Sequence, residues 1–199
     1  LPGRPDQLII LDTGGYADDG ASPAQLKEMQ LAYQQADLVL LVMDAKNPAR
    51  DADLQMLREI AAWVDSQPRL KRAPIIGVLT HIDLLSPSME WSPPYSWEKP
   101  STAKERNIRE AVDYHRELFG GSLDGLVPLC SDAARDRAFG TEEWLLPVMT
   151  ALLGDAQACS LVRTLHAEWD AGKVRTFMGQ LLNAGHELLR VITEDAVRK

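Results

Sequence analysis

The sequence predicts an α/β chain built on a parallel sheet, with a helical tail. Three observations carry this expectation. Short apolar runs recur at Leu8–Leu11, Leu38–Met43, Ile75–Leu79 and Leu126–Leu129, each reading as a strand buried on both faces. Stretches with helical apolar spacing separate most of them, the alternation that βαβ units produce. From Gln157 onward the three-four spacing continues almost to the end of the chain.

Taken in order, Leu8-Ile9-Ile10-Leu11 is expected to be a fully buried strand ending at Asp12, followed by a turn at Gly14-Gly15 and a mobile loop to Ser22. Ser22-Pro23 reads as a helix cap with a first-turn proline, and Leu26, Met29, Gln30 and Tyr33 lie near one face of the helix they open. Ala36–Ala45 contains a second buried strand, ending at Asp44, whose role is expected to be structural. Asp51–Val64 carries the stripe Leu54, Leu57, Ile60, Ala61, Val64. A third strand at Pro74–Leu79 runs into Thr80-His81-Ile82-Asp83. Residues 86–104 interrupt the rhythm with Trp91, Pro93, Pro94, Tyr95, Trp97 and Pro100, as either a partner-binding or nucleotide-covering loop or a packed surface loop. A helix over Ala103–Phe119, a strand leading to Cys130-Ser131-Asp132 and a helix over Glu142–Leu153 follow. Two domains are expected: 1–155, and a helical extension over 156–199 whose apolar stripe packs on the first domain, on itself, or on a partner or second copy in a homodimer.

With 199 residues, 45% hydrophobic and 25% charged, the chain can bury a core. A net charge of −8 argues against a broad footprint for DNA or an anionic membrane. Cys130 and Cys159 form no disulfide framework, which points to a reduced, cytoplasmic setting. No apolar run approaches the roughly 20 residues of a membrane span. His115, His166 and His186 lack ligand spacing and are expected at the surface or as caps. Cys130 is expected to be a small buried residue.

Three strand ends carry polar signatures in a fixed order: Asp12-Thr13-Gly14-Gly15, Thr80-His81-Ile82-Asp83 and Cys130-Ser131-Asp132. In this order the chain resembles the GTPase family, specifically its Era-like and dynamin-related bacterial branch (the G domain of the 50S ribosome-binding type), over roughly Leu8 to Leu153. The first signature matches Asp-x-x-Gly of the second switch, the next [Asn/Thr]-Lys-x-Asp of guanine recognition, and the last the Ser-Ala-Lys loop. The resemblance implies a three-layer P-loop NTPase-type fold, GTP or GDP with Mg²⁺ as ligands, and GTP hydrolysis in the parent protein. Asp12 would hold Mg²⁺ through a water. Gly15 would offer its backbone N–H to the γ-phosphate. Asp83 would accept two N–H donors from guanine, with Thr80, His81, Cys130 and Ser131 framing the base and the Ser131 N–H meeting its carbonyl. His81 stands where lysine is usual; its imidazole could stack on the purine with a pH-dependent charge. Tyr16 stands where many members place the glutamine that orients the attacking water, a task a phenol does not perform in the same way.

The family's phosphate loop, Gly-x4-Gly-Lys-[Ser/Thr], does not precede Asp12, and Gly172-Lys173 sits in a helical stretch without the upstream glycine. The expectation is therefore an incomplete sheet lacking its first strands, with the central slot between the Asp12 strand and Leu38–Met43 either closed directly or filled by another segment or chain. This chain alone is expected to hold GTP weakly or not at all and to be inactive. The alternative reading is a pseudo-GTPase scaffold that binds a partner through the 86–104 loop or the tail. A phosphatase using Asp12 as nucleophile lacks the second aspartate two positions on.

Overall fold

The structure, a computed structural model, describes residues 8–13, 21–154, 157, 158, 160–162 and 164. Three parallel strands in the order β1-β2-β3 form its centre: β1 at Val39–Asp44, β2 at Ile75–Thr80 and β3 at Gly125–Pro128. The connections carry α2 (Asp51–Asp65) and α3 (Ala103–Phe119), while α1 (Pro23–Gln35) precedes the sheet and α4 (Leu146–Leu152) follows it. Leu40 pairs with Ile76 and Val42 with Val78 on one side of β2, and Leu126 with Gly77 on the other. The α/β class and the parallel sheet expected from the apolar runs are present.

Local chemistry explains where the helices begin. At α1, Ser22 Oγ accepts from Gln25 N at 3.3 Å while Gln25 Oε1 accepts from Ser22 N at 2.8 Å, so the two satisfy each other's free donors. At α3, Thr102 Oγ1 accepts from Glu105 N at 3.2 Å and Glu105 Oε2 from Thr102 N at 2.9 Å, the same reciprocal arrangement. At α2, Asp51 and Asp53 place negative charge in the first turn, where the helix dipole favours it. The expected helix at 142–153 opens as a π-helical turn, Thr141–Leu145, before it becomes α4.

Side chains alternate across the sheet, and an apolar layer lies on each of its faces. Val39, Leu41 and Met43 of β1 and Ile75 and Leu79 of β2 meet Tyr33 of α1, Leu57 and Ile60 of α2, and Ile108, Val112 and Phe119 of α3. Ile76, Val78, Val127 and Leu129 meet Leu145, Val148, Met149 and Leu152 on the opposite face. Tyr33 closes one end: its hydroxyl donates to Ala73 O at 3.1 Å and accepts from Ala73 N at 3.0 Å, tying α1 to the approach of β2. Gly77 leaves room for close packing: a Cβ there would lie 2.6 Å from Leu126 Cδ1 and 2.8 Å from Leu123 Cδ1, so those methyls would have to shift.

Two expectations are corrected. Leu8–Leu11 is not a buried strand: it has no regular structure, Ile9 and Ile10 are 73% and 81% exposed, and among the described residues the segment pairs with no strand. An apolar run becomes a strand only where a neighbour accepts its amides, and no strand of the described residues does so here. β1 is buried on one face only. Leu40 is 41% exposed and Val42 62%, whereas their register partners Ile76 and Val78 are at 0% and 3%. Among the described residues β1 is therefore an edge strand, and Leu8–Asp12 does not close the central slot by pairing with it directly. The 156–199 extension lies mostly outside the described residues. Within it, Ala158, Leu161 and Val162 are buried, and Gln157 Nε2 donates to Asp37 Oδ1 at 3.4 Å, at the foot of β1.

Candidate base-recognition site

The carboxyl end of β2 turns abruptly. His81 adopts a left-handed φ of 59°, a region that histidine visits more readily than most residues. The turn drives Ile82 into the core and carries Asp83 inward with it, so that the carboxylate is only 3% exposed. Thr80 Oγ1 donates to Met43 O at 3.0 Å, tying the ends of β1 and β2. Its oxygen lies 3.0 Å from His81 Nδ1, which fits an Nδ1–H donor and fixes the exposed ring beside the strand end.

The exit of β3 supplies the other wall. Cys130 and Phe139 exchange two backbone hydrogen bonds of 2.8 Å, closing the loop between them into a compact turn. Cys130 Sγ donates to Asp83 Oδ1 at 3.3 Å. Burial pushes the thiol pKa up and the Asp83 carboxylate adds to it, against the Asp132 N–H, so Cys130 stays S–H and acts as a donor. Arg137, on the same loop, donates from Nη1 to Asp83 Oδ2 at 3.2 Å. Both oxygens of the buried carboxylate therefore have partners, as a desolvated charge requires.

Behind Asp83 sits Lys104, a fully buried lysine in the first turn of α3. Its Nζ donates to Asp83 O at 2.6 Å, Leu85 O at 2.7 Å and Pro87 O at 3.4 Å, so three ammonium N–H bonds meet three carbonyls. Burial pulls its pKa below the usual lysine value, with Asp83 pulling the other way. The neighbouring Glu105 takes the far end of the insert: Ser96 N reaches Oε1 at 2.7 Å, and Ser101 N and Thr102 N reach Oε2 at 2.8 and 2.9 Å. These N–H donors hold its pKa down to about 2.

Segment 86–104 is thus a packed cover. Tyr95 and Trp97 are buried, and a chain of ring contacts runs Trp91–Tyr95 (5.3 Å), Tyr95–Phe139 (5.9 Å), Phe139–Trp144 (4.8 Å) and Trp144–Trp97 (6.3 Å). Its aromatics join the loop after β3 to the start of α4 and are turned away from solvent. Gly140 makes the junction: φ is +97°, and a Cβ would lie 2.8 Å from Pro128 O and from Trp144 Cε3.

Of the residues singled out in the sequence, Thr80, His81, Asp83 and Cys130 come together at one end of the sheet, with exposed Ser131 beside them. Asp12 does not join a strand end; it is exposed on the unpaired segment. Gly15 and Tyr16 lie outside the described residues, as do His166 and His186. Asp44 has the structural role expected, accepting from Lys46 N at 2.8 Å.

Sequence reasoning missed Arg137, Lys104 and Glu105, and it misplaced His115. That histidine is buried, with Nδ1 donating to Ala111 O at 2.8 Å and Nε2 accepting from Arg50 Nε at 3.3 Å. Burial lowers its pKa, favouring the neutral ring. The Thr102-x-x-Glu105 spacing was a usable signal for Glu105. For Arg137 and Lys104 there was none, since lone basic residues read as solvated.

Among the described residues no three His, Cys, Asp or Glu side chains gather. A cleft of about 240 Å³ lined by Asp37, Lys71, Arg72 and Asp124 lies at the amino ends of the strands, away from Asp83. No helix of the described residues is long and apolar enough to cross a membrane. No protein family, characterised protein or solved structure matches the chain.

Proposed function

We propose that this chain carries the base-recognition half of a guanine-nucleotide-binding domain, a part of a P-loop NTPase-type GTPase, with Asp83 as the residue that selects guanine. One observation carries the reading: a buried aspartate at the carboxyl end of the central parallel strand, walled by the exit of the next strand and already holding a guanidinium N–H donor. Open α/β sheets bind ligands at the carboxyl ends of their strands. Guanine presents adjacent N–H donors that a carboxylate accepts together, while adenine lacks that pair and offers Asp83 nothing in exchange for the Arg137 donor it already holds. His81 is the residue for the purine face, and the Ser131 N–H for the guanine carbonyl.

Asp12, Gly15 and Tyr16 belong, on this reading, to the phosphate and Mg²⁺ side of the parent site, and GTP hydrolysis is assigned to the parent protein. The unpaired Leu8–Asp12 segment favours a second reading, a scaffold that binds the base without hydrolysis.

Titration of the isotope-labelled chain with GMP, and with AMP as control, tests the proposal by amide shifts. GMP should move Thr80–Asp83 and Cys130–Ser131 at millimolar concentrations, AMP should not, and Asp83→Asn should abolish the preference. Equal responses to the two nucleotides would sink it, as would no response to either both in wild type and in a variant whose Asp83 carboxylate is freed of Arg137.

A further inference from the structure

From the contacts of Asp83 we infer that Arg137 is a displaceable plug of the base site, a guanidinium that occupies the carboxylate in place of the guanine edge until a nucleotide exchanges for it. The inference rests on the proposed base-recognition role of Asp83 and adds a specificity-determining and gating residue to it.

The chemistry of the two occupants is the same. A guanidinium and the amidine edge of guanine both present N–H donors on adjacent nitrogens of one planar N–C–N unit, and a carboxylate accepts either. In this structure Oδ2 of Asp83 takes Arg137 Nη1 at 3.2 Å and Oδ1 takes Cys130 Sγ at 3.3 Å. Each carboxylate oxygen has two lone-pair sites, so Oδ1 can keep the thiol and still accept a base N–H. Oδ2 has the same capacity, so base and arginine compete there for the approach to the buried carboxylate rather than for its lone pairs.

The loop aims the plug. Asp132 Oδ1 accepts from Arg135 N at 3.2 Å, Asp136 takes a left-handed φ of 56°, and Arg137 N returns to Asp132 O at 2.9 Å. Below it the Cys130–Phe139 pair locks the loop base. Lys104, the other cation nearby, binds the main-chain oxygen of Asp83 and leaves the carboxylate itself to Arg137. Arg137 also differs from the fixed partners in exposure: its side chain is 31% exposed, against Cys130 at 1% and Lys104 at 0%. It is the partner with room to swing out while the thiol and the lysine stay. Exchange then replaces one charge-assisted donor by another without stranding the buried carboxylate, and the ion pair reduces apparent base affinity by the fraction of time it is closed.

The test compares GMP binding by the full chain and its Arg137→Ala and Arg137→Gln variants, followed by amide shifts, with methylguanidinium as competitor and thermal melting as a control for folding. GMP affinity is expected to rise by about tenfold in Arg137→Ala and by less in Arg137→Gln, whose amide keeps one uncharged donor. Methylguanidinium is expected to compete with GMP in Arg137→Ala and to raise that variant's melting temperature. GMP binding by wild type with no gain in either variant, or binding unaffected by methylguanidinium, would overturn the plug while leaving the guanine reading intact. If Arg137→Ala melts before it can be titrated, the Arg137→Gln result decides alone. Absence of GMP binding in wild type and both variants would remove both.

Discussion

Two strands lie side by side in register and share an apolar composition, yet they end in different environments. β2 is buried on both faces from Ile75 to Leu79, while its neighbour β1 keeps Leu40 and Val42 in the open opposite buried Ile76 and Val78. The difference is in what lies beyond each strand. β2 has a strand on either side and helices above and below; among the described residues β1 has β2 alone and a helical layer on one face. Leu8–Leu11 extends the series to no strand neighbour among the described residues. Burial of an apolar run is thus set by its neighbours as much as by its own residues.

The contrast can be tested by substitution, beginning with the largest effect. Ile76→Ala should destabilise the fold by about 2–5 kcal/mol, the cost of a cavity in a closed core, whereas Leu40→Ala directly opposite should cost less than about 1 kcal/mol. Urea denaturation of the pair measures the difference, and equal losses would mean that the outer face of β1 is covered in solution.

A polar counterpart lies at Glu105. Removing its negative charge by Glu105→Gln should cost about 2 kcal/mol near neutral pH, since the donors it gathers are bonds to a charged acceptor. Its pKa falls from 4.5 in the unfolded chain to about 2 when folded. The stabilisation is therefore complete above pH 4.5 and is lost as pH falls from there toward 2, because the unfolded chain then binds the proton first. Melting temperatures of wild type should drop through that window more steeply than those of Glu105→Gln; parallel curves would refute the assignment.

The smallest effect belongs to the open segment. Ile10→Ser should change stability by no more than about 0.5 kcal/mol, because no buried contact is lost. A larger loss in the same denaturation assay would show that Leu8–Leu11 has a partner in solution.

These contrasts also show what could be read from the sequence. Helices announced themselves through Ser22-Pro23 and their apolar stripes, and β2 and β3 through runs bounded by polar exits, because the causes are local. The meeting of Asp83 with Cys130 follows from two parallel strands ending together, and it was legible once their order was. Arg137, Lys104 and His115 were not legible, because each takes its meaning from a partner tens of residues away. The Leu8–Leu11 run misled for the related reason that hydrophobicity reports a tendency to be covered and says nothing of the cover.

The clasp on Lys104 has a further consequence, one of length. Three carbonyls between residues 83 and 87 converge on one ammonium, so that stretch tolerates neither an added nor a deleted residue without misaligning them. Just beyond it Met89 stands 95% exposed at the tip of the insert. The chain therefore passes from a fixed ruler to a free handle within two residues. A fluorophore attached at position 89 would stand clear of the packing while riding on a segment anchored to the carbonyl of Asp83.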